Sequence, residues 1–175
     1  MNENANQQRE DNSSALRNAI ADTFSDNAYP GDEHLTVGNA GGREYDTTFQ
    51  LLRGKKWQEC PVAEFIDGDT PIPDLTPEAF HYFMPALLIA SIDGSDVDSD
   101  VAHSLAFYLS PRSARCPDGE FPYDDTEGYL RRMRLFTTGQ REAIIQVLDE
   151  YVARGWEERE AAQPTIEFLR RKEAA

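Results

Sequence analysis

His34, His81 and His103 are the side chains best suited to proton transfer or metal binding, yet no two of them stand three or four residues apart and no His-Glu-x-x-His set occurs. A helix offers two histidines to one ion only at such spacings, so each reads as a surface or packing residue and no metal site is expected. Cys60 and Cys116 lie far apart and share no paired spacing with another Cys or His. That pattern points to two free thiols in a reducing cytosol, not to a zinc site or a disulfide framework. There is no Gly-x-Ser-x-Gly elbow, and neither Gly38 to Arg43 nor Arg53 to Lys56 ends in the Gly-Lys-Ser/Thr of a phosphate cradle. No catalytic residue and no cofactor is assigned.

Carboxylates are the remaining chemistry. Between Lys56 and Arg112 stand ten of them, Glu59, Glu64, Asp67, Asp69, Asp74, Glu78, Asp93, Asp96, Asp98 and Asp100, with no Lys or Arg. Such a window sets up a negative potential that attracts cations and basic protein surfaces and repels nucleic-acid backbones. Asp96, Asp98 and Asp100 alternate as in a calcium loop, but counting from Asp96 the sixth and twelfth positions hold Val101 and Phe107 where the loop requires Gly and Glu. The segment reads either as a solvated loop whose acids favour the next helix N-terminus or as a partner surface, since a basic partner relieves the repulsion among close carboxylates. The candidate partner-binding residues are Asp67, Asp69, Asp93, Asp96, Asp98 and Asp100, and the partner they imply is a basic protein.

The whole chain of 175 residues carries 32 acids against 17 bases, a net charge of -15. Direct nucleic-acid binding needs a basic stripe, and none dominates. The first residues lack the basic start and apolar stretch of a secretion signal. The longest nearly apolar run, Phe83 to Ile92, is half of the roughly 20 residues that cross a bilayer. A soluble cytoplasmic protein without a membrane role is expected.

The elements that hold these residues follow from apolar spacing. Residues 1–11 offer almost nothing to bury and are expected to be a disordered polar tail, with one helical domain over 12–172. Leu16, Ile20 and Phe24 mark a first helix ended by Tyr29-Pro30-Gly31, and Tyr45, Phe49 and Leu52 a second closed by Gly54. Residues 57–74 form an irregular connection in which Val62 to Ile66 can add a short turn or strand. Thr76 as cap, Pro77 in the first turn and Glu78 at the positive dipole end open a mostly buried central helix, where Pro85 removes a donor and crowds the carbonyl of His81. A kink or two abutting helices is expected there.

Val101, Leu105, Tyr108 and Leu109 give another helix, residues 112–130 a long polar loop, and Thr137 with Gln140 a capping box for a helix ending at Gly155. A last helix is expected from about Pro164. With few alternating β-branched runs, the fold class is all-α, one compact domain of about five to six helices.

The order of Tyr29-Pro30-Gly31-Asp32, Trp57, Leu75-Thr76-Pro77-Glu78-Ala79-Phe80-His81-Tyr82-Phe83-Met84-Pro85-Ala86 and Leu135-Phe136-Thr137-Thr138-Gly139-Gln140 resembles a family of small bacterial proteins classed only as a domain of unknown function, over about residues 15–155. The resemblance implies a bacterial, cytoplasmic, single-domain protein and brings no activity. The residues themselves favour a non-catalytic acidic binding protein, immunity-like or inhibitory, that masks a basic protein partner. The alternatives are an enzyme with its site near residues 57–82, lined by His81 and Tyr82, and an inhibitor that mimics nucleic acid.

Overall fold

The structure, a computed structural model, describes residues 3–37, 43–62, 75–93, 99–111, 126–155 and 159–171. Among them are seven α-helices: α1 (Glu3–Thr23), α2 (Arg43–Leu52), α3 (Pro77–Asp93), α4 (Ser99–Leu109), α5 (Thr126–Arg134), α6 (Thr138–Arg154) and α7 (Arg159–Leu169). Single 3₁₀ turns cover Asp32–His34 and Trp57–Glu59. No strand occurs among the described residues, where the β contact is one antiparallel bridge between Thr36 and Leu75. The fold is all-α, as the pattern of apolar spacing requires.

The centre is α3. Its sequence is apolar nearly all round, so it must be covered on every side. Ala79, Phe80, the run from Tyr82 to Leu88, Ser91 and Ile92 are buried. It packs against α1, α4, α5, α6 and the Trp57 turn, while α6 packs on α1 and α7, and α4 on α7. At Pro85 the chain does not form two abutting helices: α3 runs as one helix with the proline inside.

The helix ends follow local chemistry. Thr76 Oγ1 accepts the Ala79 N–H at 3.0 Å as the cap of α3. Thr137 and Gln140 exchange side-chain and backbone hydrogen bonds in the expected capping box of α6, and Gly155 closes that helix at φ 68°. Three boundaries differ from expectation. Helix α1 begins at Glu3, within the segment expected to be a tail, supported by side-chain bonds from Gln7 to Asp11 and Gln8 to Asn12. Helix α5 starts inside the expected 112–130 loop because Tyr129 and Met133, four residues apart, bury one face. Helix α7 opens at Arg159, which places Pro164 in its second turn. Beyond Val62, the expected Val62 to Ile66 turn lies outside the described residues.

Candidate functional site

The acidic window is divided by the helix at its middle. The 17 residues of α3 rise about 25 Å at 1.5 Å each. The connection that carries Asp67 and Asp69 joins its N-terminal end, and the one that carries Asp96 and Asp98 leaves its C-terminal end. Those four residues lie outside the described set. Asp93 is the last residue of α3 and Asp100 the second of α4, so these two bracket one connection. Of the six candidate residues, Asp93 and Asp100 are described, and the connections that carry the other four join α3 at its two ends.

Where the positive charges go is better defined. Arg131 meets Glu78 at 3.2 Å, Arg134 meets Glu127 at 3.2 Å, Arg170 meets Asp149 at 3.3 Å, and Arg53 meets Asp32 at 4.0 Å. Arg154 bonds Glu150 at 2.8 Å with its side chain only 8% exposed, and also reaches Ser13. Arg132 lies 5.3 Å from the centroid of the Phe80 ring. Arg141 donates from Nε and Nη2 to the Phe136 carbonyl, at 3.0 and 2.8 Å. Surface ion pairs add little stability. Their effect here is electrostatic: these seven arginines contact the chain's own acids, rings and carbonyls, while the chain as a whole keeps its acidic excess.

The region named for a possible catalytic site, residues 57–82, holds a polar cluster at the start of α3. His81 is half-buried between Phe24 and Phe136, with its ring centroid 5.1 Å from that of Phe136. His81 Nε2 lies 3.0 Å from Gln140 Oε1. Tyr82 is buried, stacks edge-on against Tyr29 at 5.3 Å, and its hydroxyl is bonded by the Trp57 backbone. Burial raises the Tyr82 phenol above its ordinary pKa, against the opposing effect of that backbone bond. Tyr29 is pushed up to about 12, first by burial and then by its bond to Asp32. Both phenols are neutral near pH 7, and His81 Nε2 and the Tyr82 hydroxyl serve hydrogen bonds within the protein.

Sequence reasoning missed this cluster. Gln140 reads as a capping-box residue, and nothing in the chain's spacing says that the same side chain crosses to His81. One signal was present in Pro85, which marks the His81 carbonyl as short of a helical donor. Among the described residues, no group of three or more His, Cys, Asp or Glu side chains is placed to hold a metal ion. No helix among them is long and apolar enough to cross a membrane.

The sequence profile of a family of unknown function, DUF6714, matches residues 12–170. No curated protein and no solved structure matches the chain.

Proposed function

We propose that this chain, which belongs to the DUF6714 family of unknown function, is a non-catalytic acidic binding protein that masks a basic surface on another protein, in the manner of an immunity protein or inhibitor. One observation carries the reading: the arginines described above are spent on internal contacts while the chain keeps a net charge of -15. A protein in that state presents its surplus negative potential outward, which speeds encounter with a basic partner and suppresses encounter with nucleic acid. The stretch from Asp93 to Asp100, with four carboxylates in eight residues, is where like charges gain most from a guanidinium or ammonium partner. A reducing bacterial cytoplasm is the setting this reading assumes, in keeping with two cysteines in no paired spacing.

The test is purification of the tagged full chain from its native cells at low salt, beside a chain with Asp96, Asp98 and Asp100 all replaced by Lys. The expected result is one stoichiometric basic protein, released by salt from the wild type and absent from the reversed chain. A partner held equally by both chains, or none held by either, overturns the proposal.

A further inference from the structure

Pro85 has no N–H, so the His81 carbonyl four residues earlier in α3 lacks the donor that an ordinary helix residue would supply. The structure provides one from elsewhere. Asn27, in the connection that follows α1, donates from Nδ2 to the His81 oxygen at 3.1 Å. The other end of the same carboxamide, Asn27 Oδ1, accepts from Gln140 Nε2 at 2.8 Å. Gln140, only 5% exposed, uses its Oε1 to accept the Thr137 N–H at 3.0 Å and faces His81 Nε2 at the same distance.

Only one set of polarities satisfies this ring. Turning the Gln140 amide over would set its NH₂ against the Thr137 N–H and its oxygen against Asn27 Oδ1, which is two donors face to face and two acceptors face to face. Turning Asn27 over would set its oxygen against the His81 carbonyl. With both amides fixed, Gln140 Oε1 can only accept, so His81 must donate from Nε2.

We propose that Pro85 and Asn27 form a strap. The proline frees a backbone carbonyl in the first half of α3, and that carbonyl, closed into a ring by Gln140 and the Nε2–H form of His81, anchors the connection between α1 and α2 to the central helix. His81 is a positioning residue in this scheme, with Nε2 withdrawn from proton transfer. The strap stands apart from the partner-binding reading, because it concerns segments and bonds that charge reversal at Asp96, Asp98 and Asp100 does not touch.

The decisive experiment is a double-mutant cycle on the full chain, reading the urea midpoint shift caused by Asn27→Ala in the wild type and in Pro85→Ala. In Pro85→Ala the new backbone N–H can satisfy the His81 carbonyl, so the shift should fall to roughly half or less of its wild-type size. Equal shifts in the two backgrounds overturn the strap. The ring has its own readout should the double variant fail to fold. Imidazole ¹⁵N spectra at mildly alkaline pH should show His81 as a single Nε2–H tautomer with a visible, slowly exchanging proton. That proton should be lost in Gln140→Met and kept in Gln140→Glu, which retains the acceptor. An Nδ1–H tautomer, or an Nε2–H signal indifferent to Gln140→Met, overturns the proposal.

Discussion

The Tyr29 hydroxyl donates to Asp32 Oδ1 at 2.5 Å, and the Gly54 N–H reaches both partners, at 2.8 Å to the hydroxyl and 3.1 Å to the carboxylate. The pair ties the end of α2 to the segment after α1, and burial, together with the bond to Asp32, pushes the phenol up to about 12. A phenol whose folded pKa lies above its unfolded value of 10.0 contributes stability that is complete below pH 10 and is lost as pH rises through 12. Phenolate absorbance on alkaline titration should therefore show a late-ionising tyrosine that disappears in Tyr29→Phe. The wild type should lose stability between pH 10 and 12 more steeply than that variant; parallel losses would contradict the assignment.

Gly31 is the residue whose backbone allows this arrangement. Its φ of 93° and ψ of 149° lie where only glycine is at ease. A Cβ there would also stand 2.8 Å from Glu33 Oε1, but that carboxylate is the free end of a flexible side chain and can swing away. The strain in φ cannot. Gly31→Ala should cost about 1–3 kcal/mol in chemical denaturation. Adding Glu33→Ala should recover little of it, and a full recovery would assign the cost to the clash instead.

How much of this was legible depends on range. Thr76, Thr137, Gly54 and Gly155 act within a few residues of themselves, and the chain spells out their caps and stops. Helix α3 announces itself by being apolar nearly all round, which a buried helix must be. The contacts that assemble the polar cluster join residues 54 to 113 positions apart, from Asn27 to His81 and to Gln140, and no period in the sequence encodes such a pairing. The acidic window misleads in the opposite way. Its ten acids look continuous in sequence because a buried helix with no Lys or Arg contributes length between them, and that same helix separates the points at which the two acidic connections join it.

The first turns of α1 contribute a different lesson. Gln7, Gln8, Asp11 and Asn12 are exposed, and the helix buries nothing in full before Ile20 among its described side chains. Side-chain pairs such as Gln7 with Asp11 stabilise a helix by about 0.2–0.5 kcal/mol each, less than the entropy of ordering the turn. Deleting residues 1–11 should then shift the folding free energy by no more than about 0.5 kcal/mol. Backbone amides of residues 3–12 should exchange far faster than those of Ile20 to Phe24. Protection in the first turns equal to that of Phe24 would show that something covers them.

Thr76 lets two roles be separated in one side chain. Its Oγ1 accepts the Ala79 N–H as the cap of α3 and donates to the His34 carbonyl at 2.5 Å, while its own N–H donates to Leu35 O at 3.1 Å. Thr76→Val keeps the shape and the backbone bond but loses both hydroxyl functions, so it should cost about 1–3 kcal/mol, a cap and a hydrogen bond together. Thr76→Ser keeps both and should stay within about 0.5 kcal/mol. Thr76→Asp keeps a good acceptor at the helix N-terminus but brings a carboxylate against the His34 carbonyl. If the tie to His34 matters as much as the cap, the aspartate variant should fall between the other two despite being the better cap. If it matches or exceeds the wild type in stability, the cap alone accounts for Thr76, and the junction at His34 rests on the backbone bond to Leu35 and the bridge between Thr36 and Leu75.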